Sequence, residues 1–147
     1  MRENMGLYRG KRKDNGKWEV GNLFENDNYN FPMVLIGHVI MSRDKHFPQD
    51  LSFDGYYLVE VDPETVGQFT GMTDKNRKKI FEGDIVQTIK TEFKPPRKYK
   101  KPFHVHYNSD FPITVEEYYS PFEHFTEKVA YEVVGNIHDN PELLQEV

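Results

Sequence analysis

Apolar positions in this chain recur mostly at every second residue, in short runs cut by turn-forming residues. Tyr57, Val59 and Val61 alternate with Tyr56, Leu58 and Glu60, the period of a strand with two distinct faces. Leu7-Tyr8 and Trp18-Glu19-Val20-Gly21-Asn22-Leu23-Phe24 flank Lys13-Asp14-Asn15-Gly16-Lys17. Asn15-Gly16 predicts a hairpin, because the tight turns that match strand twist need positive φ, which Asn and Gly adopt at least cost. Alternation then puts Trp18, Val20 and Asn22 on one face and Glu19 on the other. A polar loop, Asn26 to Asn30, ends at Pro32. Met33 to Met41 is an apolar run broken only by Gly37 and His38, which reads as a buried strand carrying a bulge. Ser42 to Asp54 holds Pro48 and no period, so it reads as loop.

Asp62-Pro63-Glu64-Thr65 offers a side-chain acceptor followed by proline, the start of a single helical turn. After a charged turn at Thr73 to Lys79, Gly83-Asp84 forms a corner that launches an apolar strand through Ile89. The Asp84 carboxylate is expected to accept backbone N–H bonds there. Lys90 to Lys101 reads as an exposed basic loop stiffened by Pro95-Pro96, with further strands at Phe103 to Tyr107, Ile113 to Tyr118 and Val129 to Ile137. A short terminal helix follows Pro141, with Asn140 or Asp139 as its cap. Trp18, Val20, Phe69, Ile80, Ile85, Val86, Val133 and Ile137 are expected to be buried together.

Composition agrees with this pattern. The chain has 147 residues, 11 Phe, 9 Tyr, 10 Gly and 9 Pro, with Ala130 its single alanine. It is therefore a poor helix former and a good sheet former. Its length suits one domain spanning 1–147, with a basic, proline-containing loop at 90–102. The absence of cysteine excludes disulfides and thiolate chemistry and agrees with a reducing compartment. No 18-residue apolar run exists and Met1 to Gly10 has no signal-like core, so a cytoplasmic protein without a membrane partner is expected. A net charge of -5 argues against a wholly basic nucleic-acid binder and leaves local patches open.

Two such patches stand out. Arg9, Lys11, Arg12 and Lys13 lie beside Tyr8 and Trp18, and Lys94, Arg97, Lys98, Lys100 and Lys101 lie beside Tyr99 and Phe103. Cations interleaved with aromatics suit a phosphate-tracking, base-stacking surface, and they equally suit solvated strand edges. His104 and His106 project from one face of a strand, within sequence reach of Asp110 and Glu116. With no second His-rich or Cys element, no metal site is assigned. Ser42, Ser52, Ser109 and Ser120 lie in no nucleophile elbow, and Gly67 to Gly71 lacks the Gly-Lys-Ser/Thr of a phosphate loop. His138-Asp139 reads as part of a capped turn. No catalytic residue, cofactor or small-molecule substrate is therefore expected.

Three blocks carry a resemblance: Tyr8-Arg9-Gly10-Lys11-Arg12-Lys13-Asp14-Asn15-Gly16-Lys17-Trp18, then Val61 to Val86 with its Asp62-Pro63-Glu64-Thr65 and Ile80-Phe81-Glu82-Gly83-Asp84, and Val133-Val134-Gly135-Asn136-Ile137-His138-Asp139-Asn140-Pro141-Glu142-Leu143-Leu144. In these the chain resembles the YopX family of bacteriophage and prophage proteins. The resemblance implies a β-rich fold containing a small Src-homology-3-like (SH3-like) barrel, often as an oligomer, with no established activity. One departure is Lys75-Asn76-Arg77-Lys78, where the family usually has Lys-Asn-Gly-Lys. Either Asn76 takes the left-handed position there or the turn changes type.

The combined expectation is a mainly β protein: a small SH3-like barrel or roll with additional antiparallel strands and one or two short helical turns. In function it is expected to be a phage- or prophage-type accessory protein acting as a non-catalytic interaction module. The expected assembly is a homo-oligomer whose interface includes part of Phe103 to Phe125; the basic 94–101 stretch is available to pair with Asp110, Glu116, Glu117, Glu123 and Glu127 between copies or within one, simple charge dispersion being the alternative. The alternative is a nucleic-acid-binding protein using 9–17 and 90–101. A metal-dependent hydrolase around His104, His106 and Asp110 ranks last.

Overall fold

The Asn15-Gly16 turn forms as its chemistry dictates. Gly16 adopts φ 70°, Lys17 N donates to Asn15 Oδ1 at 2.9 Å, and Gly16 N donates to the Arg12 carbonyl at 2.9 Å. It joins β1 (Leu7–Lys11) to β2 (Trp18–Asn26), antiparallel with Lys11 opposite Trp18. In this computed structural model residues 6–26, 33–106, 114–115 and 129–144 are described. The polar loop predicted at Asn26 to Asn30 lies almost wholly outside them.

The chain divides into two compact units, one of residues 6–66 and one from Gly67 onward. In the first, β3 (Met33–Arg43) pairs with β2, and β4 (Leu51–Glu60) pairs with β3, all antiparallel. The hairpin is longer than the sequence suggested, because the loop shrinks to seven residues, 44–50. Asp44 closes it: its Oδ1 accepts from His46 N at 2.7 Å and Phe47 N at 2.8 Å, while its own N donates to the Asp50 carbonyl. At the other end Lys13 N donates to the Glu60 carbonyl and Arg12 bridges Val61. The strand ends are thereby gathered around buried Ile36 and Val61.

Three expectations fail in this unit. The run from Met33 is buried only at Ile36 and Gly37; residues 38–43 are exposed. The bulge lies at Ile40/Met41, where Asp54 is the extra residue, and not at Gly37. Gly37 serves a different purpose, because a Cβ there would run into the Tyr57 carbonyl oxygen. Gly21 on β2 is also close to Gly37, its Cβ position 2.6 Å from the Gly37 oxygen. Two neighbouring glycines thus let three backbones approach closely. The Trp18 face is also inverted: Val20 is 48% exposed, whereas Glu19 is partly covered and lies 3.5 Å from Arg12. The Ile36–Val61 side of the sheet takes Gly10, whose Cβ position touches both residues.

The second unit follows a 3-10 turn, Pro63–Thr65, capped by Asp62 as predicted; Asp62 Oδ1 accepts from Glu64 N at 3.0 Å. Its strands are β5 (Gly67–Thr73), β6 (Lys79–Phe81), β7 (Asp84–Lys90), β8 (Arg97–His106), β9 (Thr114–Val115) and β10 (Val129–Asn136). β5 pairs with β6, and the order β10-β7-β8-β9 forms a four-stranded antiparallel sheet. β7 is central and buried from Asp84 to Ile89. Ile80, Val86, Val105 and Tyr131 form its core, with Met72, Phe103, Val129 and Val133 packed around them. Of the predicted core, Phe69, Ile80, Ile85 and Val86 are buried, and Val133 and Ile137 are half-buried. Trp18 and Val20 belong to the other unit.

The Gly83-Asp84 corner forms as expected, with Gly83 at φ 91° and buried Asp84 accepting from Phe81 N at 2.8 Å. The second basic segment is only partly loop, because Arg97 to Lys101 lie in β8, with Arg97, Lys98 and Tyr99 paired to β7. The C-terminal helix is a 3-10 turn, Pro141–Leu144. Asn140 does not use its side chain as the cap; its Oδ1 accepts from Asn136 N at 3.2 Å. The described pairings make the protein mainly β and antiparallel, and among the described residues they close no barrel.

The turn that departs from the family pattern keeps its left-handed residue. Arg77 itself sits at φ 65°. Asp74 holds the turn, its Oδ1 accepting from Asn76 N and Lys78 N and its Oδ2 from Val133 N at 3.0 Å. An L-residue is strained at such a φ and glycine is not, although glycine loses more freedom on folding. Arg77→Gly is therefore expected to raise stability by about 0.5 kcal/mol, read as a higher urea midpoint at unchanged slope. A lower midpoint would show that the arginine side chain compensates its own strain.

Candidate functional site

The two basic segments differ in what already engages them. In the first, the Arg9 guanidinium lies 4.7 Å and Lys11 Nζ 5.6 Å from the Trp18 ring centroid. Arg12 forks onto Asp14, Nε to Oδ1 at 2.9 Å and Nη2 to Oδ2 at 2.7 Å. That hydrogen bond holds the Asp14 carboxyl below the usual carboxylate range and pushes the guanidinium up. Because the Asp14 value is lowered, whatever the pair contributes is present above the ordinary Asp range and lost as pH falls through the folded value. Lys13 Nζ meets Glu60 Oε2 at 3.2 Å. Arg12 and Lys13 line a shallow groove with Asp14, Leu58, Val59 and Glu60, and both are matched by carboxylates within the unit.

The second segment lies on the β7–β8 hairpin. Six cations, Lys90, Lys94, Arg97, Lys98, Lys100 and Lys101, stand against Glu92, and residues 91–101 are all exposed. Lys90 Nζ lies 4.2 Å and Lys100 Nζ 5.3 Å from the Tyr99 ring centroid, and the Arg97 guanidinium 4.5 Å from that of Phe93. The register explains this clustering. Val86 pairs with Phe103 and Thr88 with Tyr99, so Gln87 faces three residues, Lys100, Lys101 and Pro102. Buried Gln87 holds the bulge: its Nε2 donates to the carbonyls of Tyr99 at 3.3 Å, Lys100 at 3.0 Å and Thr88 at 3.0 Å. Lys100 is thereby kept at φ 63°. Sequence reasoning found the charges but missed Gln87, which only strand pairing brings opposite them.

A third feature was not singled out in the sequence. Of thirteen large apolar side chains at least 37% exposed among the described residues, nine lie on β3, β4 and their loop: Val39, Ile40, Met41, Phe47, Leu51, Phe53, Tyr56, Tyr57 and Leu58. Rings pack against each other there, Phe53 edge-on to Tyr56 at 5.0 Å and His38 tilted against Tyr57 at 5.3 Å. Its signal was the apolar run at 33–41, read as burial, and the tyrosines at 56–57, read only as strand alternation. The interface expected within Phe103 to Phe125 lies mostly outside the described residues; Phe103 itself packs on the core.

His104 and His106 share a face as predicted, with ring centroids 4.2 Å apart. Asp110 and Glu116 lie outside the described residues, among which no group of three His, Cys, Asp or Glu side chains is placed to hold a metal. His138 and Asp139 sit in a capped turn, both backbone N–H groups donating to Asn136 Oδ1. Ser42 Oγ donates to Asp54 at 3.2 Å and meets no histidine. No described helix is long and apolar enough to cross a membrane.

No curated protein matches the chain. Among solved structures it is similar to protein EF1440 from Enterococcus faecalis, with 22% identity, a TM-score of 0.55, and coverage of 95% of this chain and 97% of that one. At that identity the likeness speaks for the fold alone. The family model described as YopX protein matches residues 7–145, spanning both units and all three motif blocks, and the chain therefore belongs to the YopX family, whose function is uncharacterised.

Proposed function

We propose that this protein is a non-catalytic interaction module that self-associates through the β3–β4 hairpin. The observation that carries this is the concentration of nine exposed apolar side chains on one hairpin. Monomeric proteins seldom leave such a patch in water. Consecutive residues such as Val39, Ile40 and Met41 point to opposite faces of a strand, so both faces of the hairpin carry exposed apolar side chains. From Ser52 to Val59, β4 pairs only with β3 among the described residues, and Asp54 is the one charged residue on that stretch. An apolar edge with so few charges is a template for pairing with another strand.

A second copy suits this surface better than a charged partner. The hairpin end carries Arg43 and Lys45 beside Asp44 and Asp50, charges of both signs that a two-fold arrangement can pair across the axis. The SH3-like roll implied by the family is supported in the second unit, by β5, β6, β7, β8 and β10 around Ile80, Val86, Val105 and Tyr131. On this reading the protein is a phage- or prophage-type accessory protein of the cytoplasm, with which its lack of cysteine agrees.

Size exclusion with light scattering tests the proposal. The expected mass is a multiple of 17.4 kDa at micromolar concentration, returning to 17.4 kDa in Phe53→Glu/Tyr56→Glu. Both positions are exposed, so the variant is expected to keep its fold by circular dichroism. A wild-type monomer across dilution and salt refutes self-association. An oligomer unchanged in a folded double variant moves the interface elsewhere.

A further inference from the structure

The geometry points to the β7–β8 hairpin as a binding face for single-stranded nucleic acid, with Phe93 and Tyr99 as stacking platforms and Lys94, Arg97, Lys98 and Lys100 as phosphate contacts. Three independent features of the hairpin converge on this. The first is charge: 90–101 carries a net +5 in a chain whose total is -5. In the first unit Arg12 and Lys13 pair with the carboxylates of Asp14, Glu19 and Glu60, whereas this segment contains one acidic residue, Glu92, 4.0 Å from Lys90.

The second is the pair of exposed rings. Phe93 and Tyr99 are 37% and 40% exposed and already attract cations to their faces, as π-systems open to solvent do. Their spacing along a turn and strand, with cations between, is the alternation that lets a flexible polyanion lay its bases on rings and its phosphates on lysines. When a base stacks on Tyr99, the Lys90 and Lys100 ammonium groups swing from the ring to the flanking phosphates. Aromatic rings contribute little to holding an acidic peptide, so they favour nucleic acid over protein as the polyanion.

The third is the bulge. A regular β8 would continue its alternation past Tyr99, but Gln87 opens three residues and holds Lys100 in a left-handed conformation that lysine adopts only under constraint. A buried amide whose hydrogens are shared among three carbonyls is costly to place and easy to replace with an aliphatic side chain in an ordinary strand. Bulges of this kind re-aim side chains, and here the re-aimed residue is a lysine 5.3 Å from Tyr99. Gln87 is a positioning residue, touching no ligand itself.

Fluorescence polarisation of the full chain with a labelled 15-nucleotide single-stranded DNA, the same sequence as a duplex, and poly-L-glutamate decides the matter. Binding of the single strand is expected, weakening roughly 50-fold between 50 and 200 mM salt if about four phosphates are neutralised. Phe93→Ala/Tyr99→Ala is expected to weaken it at least roughly tenfold with the melting temperature unchanged, since both rings are exposed. Lys94→Glu/Lys98→Glu should lower affinity and flatten the salt dependence. Absence of single-strand binding at 50 mM salt overturns the proposal. So does binding that is equal for duplex or polyglutamate and indifferent to the loss of both rings.

Discussion

Val86→Asp is expected to leave the second unit unfolded at neutral pH. Val86 is fully buried on the central strand, opposite Val133 on one side and Phe103 on the other, and packs with Ile80, Val105 and Tyr131. The core around it is apolar, so a carboxylate must lose its hydration or force protonation. Either cost is comparable with or larger than the roughly 5–15 kcal/mol by which a domain of this size is stable. Val86→Ala separates charge from volume, because truncation alone costs about 2 kcal/mol and leaves a folded protein. Loss of near-ultraviolet dichroism and rapid proteolysis within 67–144 are the expected signatures. A folded aspartate variant with unchanged melting temperature would mean that this strand is not central.

Gly37→Val is expected to cost about 3 kcal/mol or more and to open the first unit between β3 and β4. The side chain would meet the Tyr57 carbonyl oxygen and the backbone at Leu58, which are held by the ladder and cannot rotate away as a side chain can. Gly21 offers no relief on the other flank, since it already lies against the Gly37 oxygen. The neighbouring His38→Ala, at an exposed position, should stay within about 0.5 kcal/mol and serves as the control. Hydrogen exchange should show β3 and β4 amides losing protection in the valine variant while β7 keeps its own. Wild-type protection in β3 would show that the strands tolerate a wider spacing than this structure has.

These two sites mark where sequence reading succeeds and where it stops. Val86 was legible, because Ile85-Val86 follows a Gly-Asp corner whose geometry is set within four residues: Gly83 supplies the positive φ and Asp84 closes on Phe81 N. The Asn15-Gly16 turn and the Asp62 cap were legible for the same reason, as were the family blocks that contain them. Such features depend on φ preferences and hydrogen bonds among neighbours in the chain, so the amino-acid sequence alone determines them. The cations and rings of 90–101 belong with them as composition.

What tertiary structure decided was everything that depends on which strand lies opposite. Val20 and Glu19 alternate correctly, yet which face is covered was settled by Gly10, Ile36 and Val61 lying beneath the other one. Val39 to Met41 read as buried because they are apolar, but burial requires a partner layer, and the hairpin extends them to solvent instead. Gly37 read as a bulge because a glycine in a strand signals either irregularity or close approach, and only the Tyr57 carbonyl opposite it distinguishes the two. Gln87 carries no signal of its own: it organises the basic hairpin through carbonyls 12 and 13 residues away. Local preference fixes the turns, whereas burial and register are properties of pairs of segments and exist only once the sheet has formed.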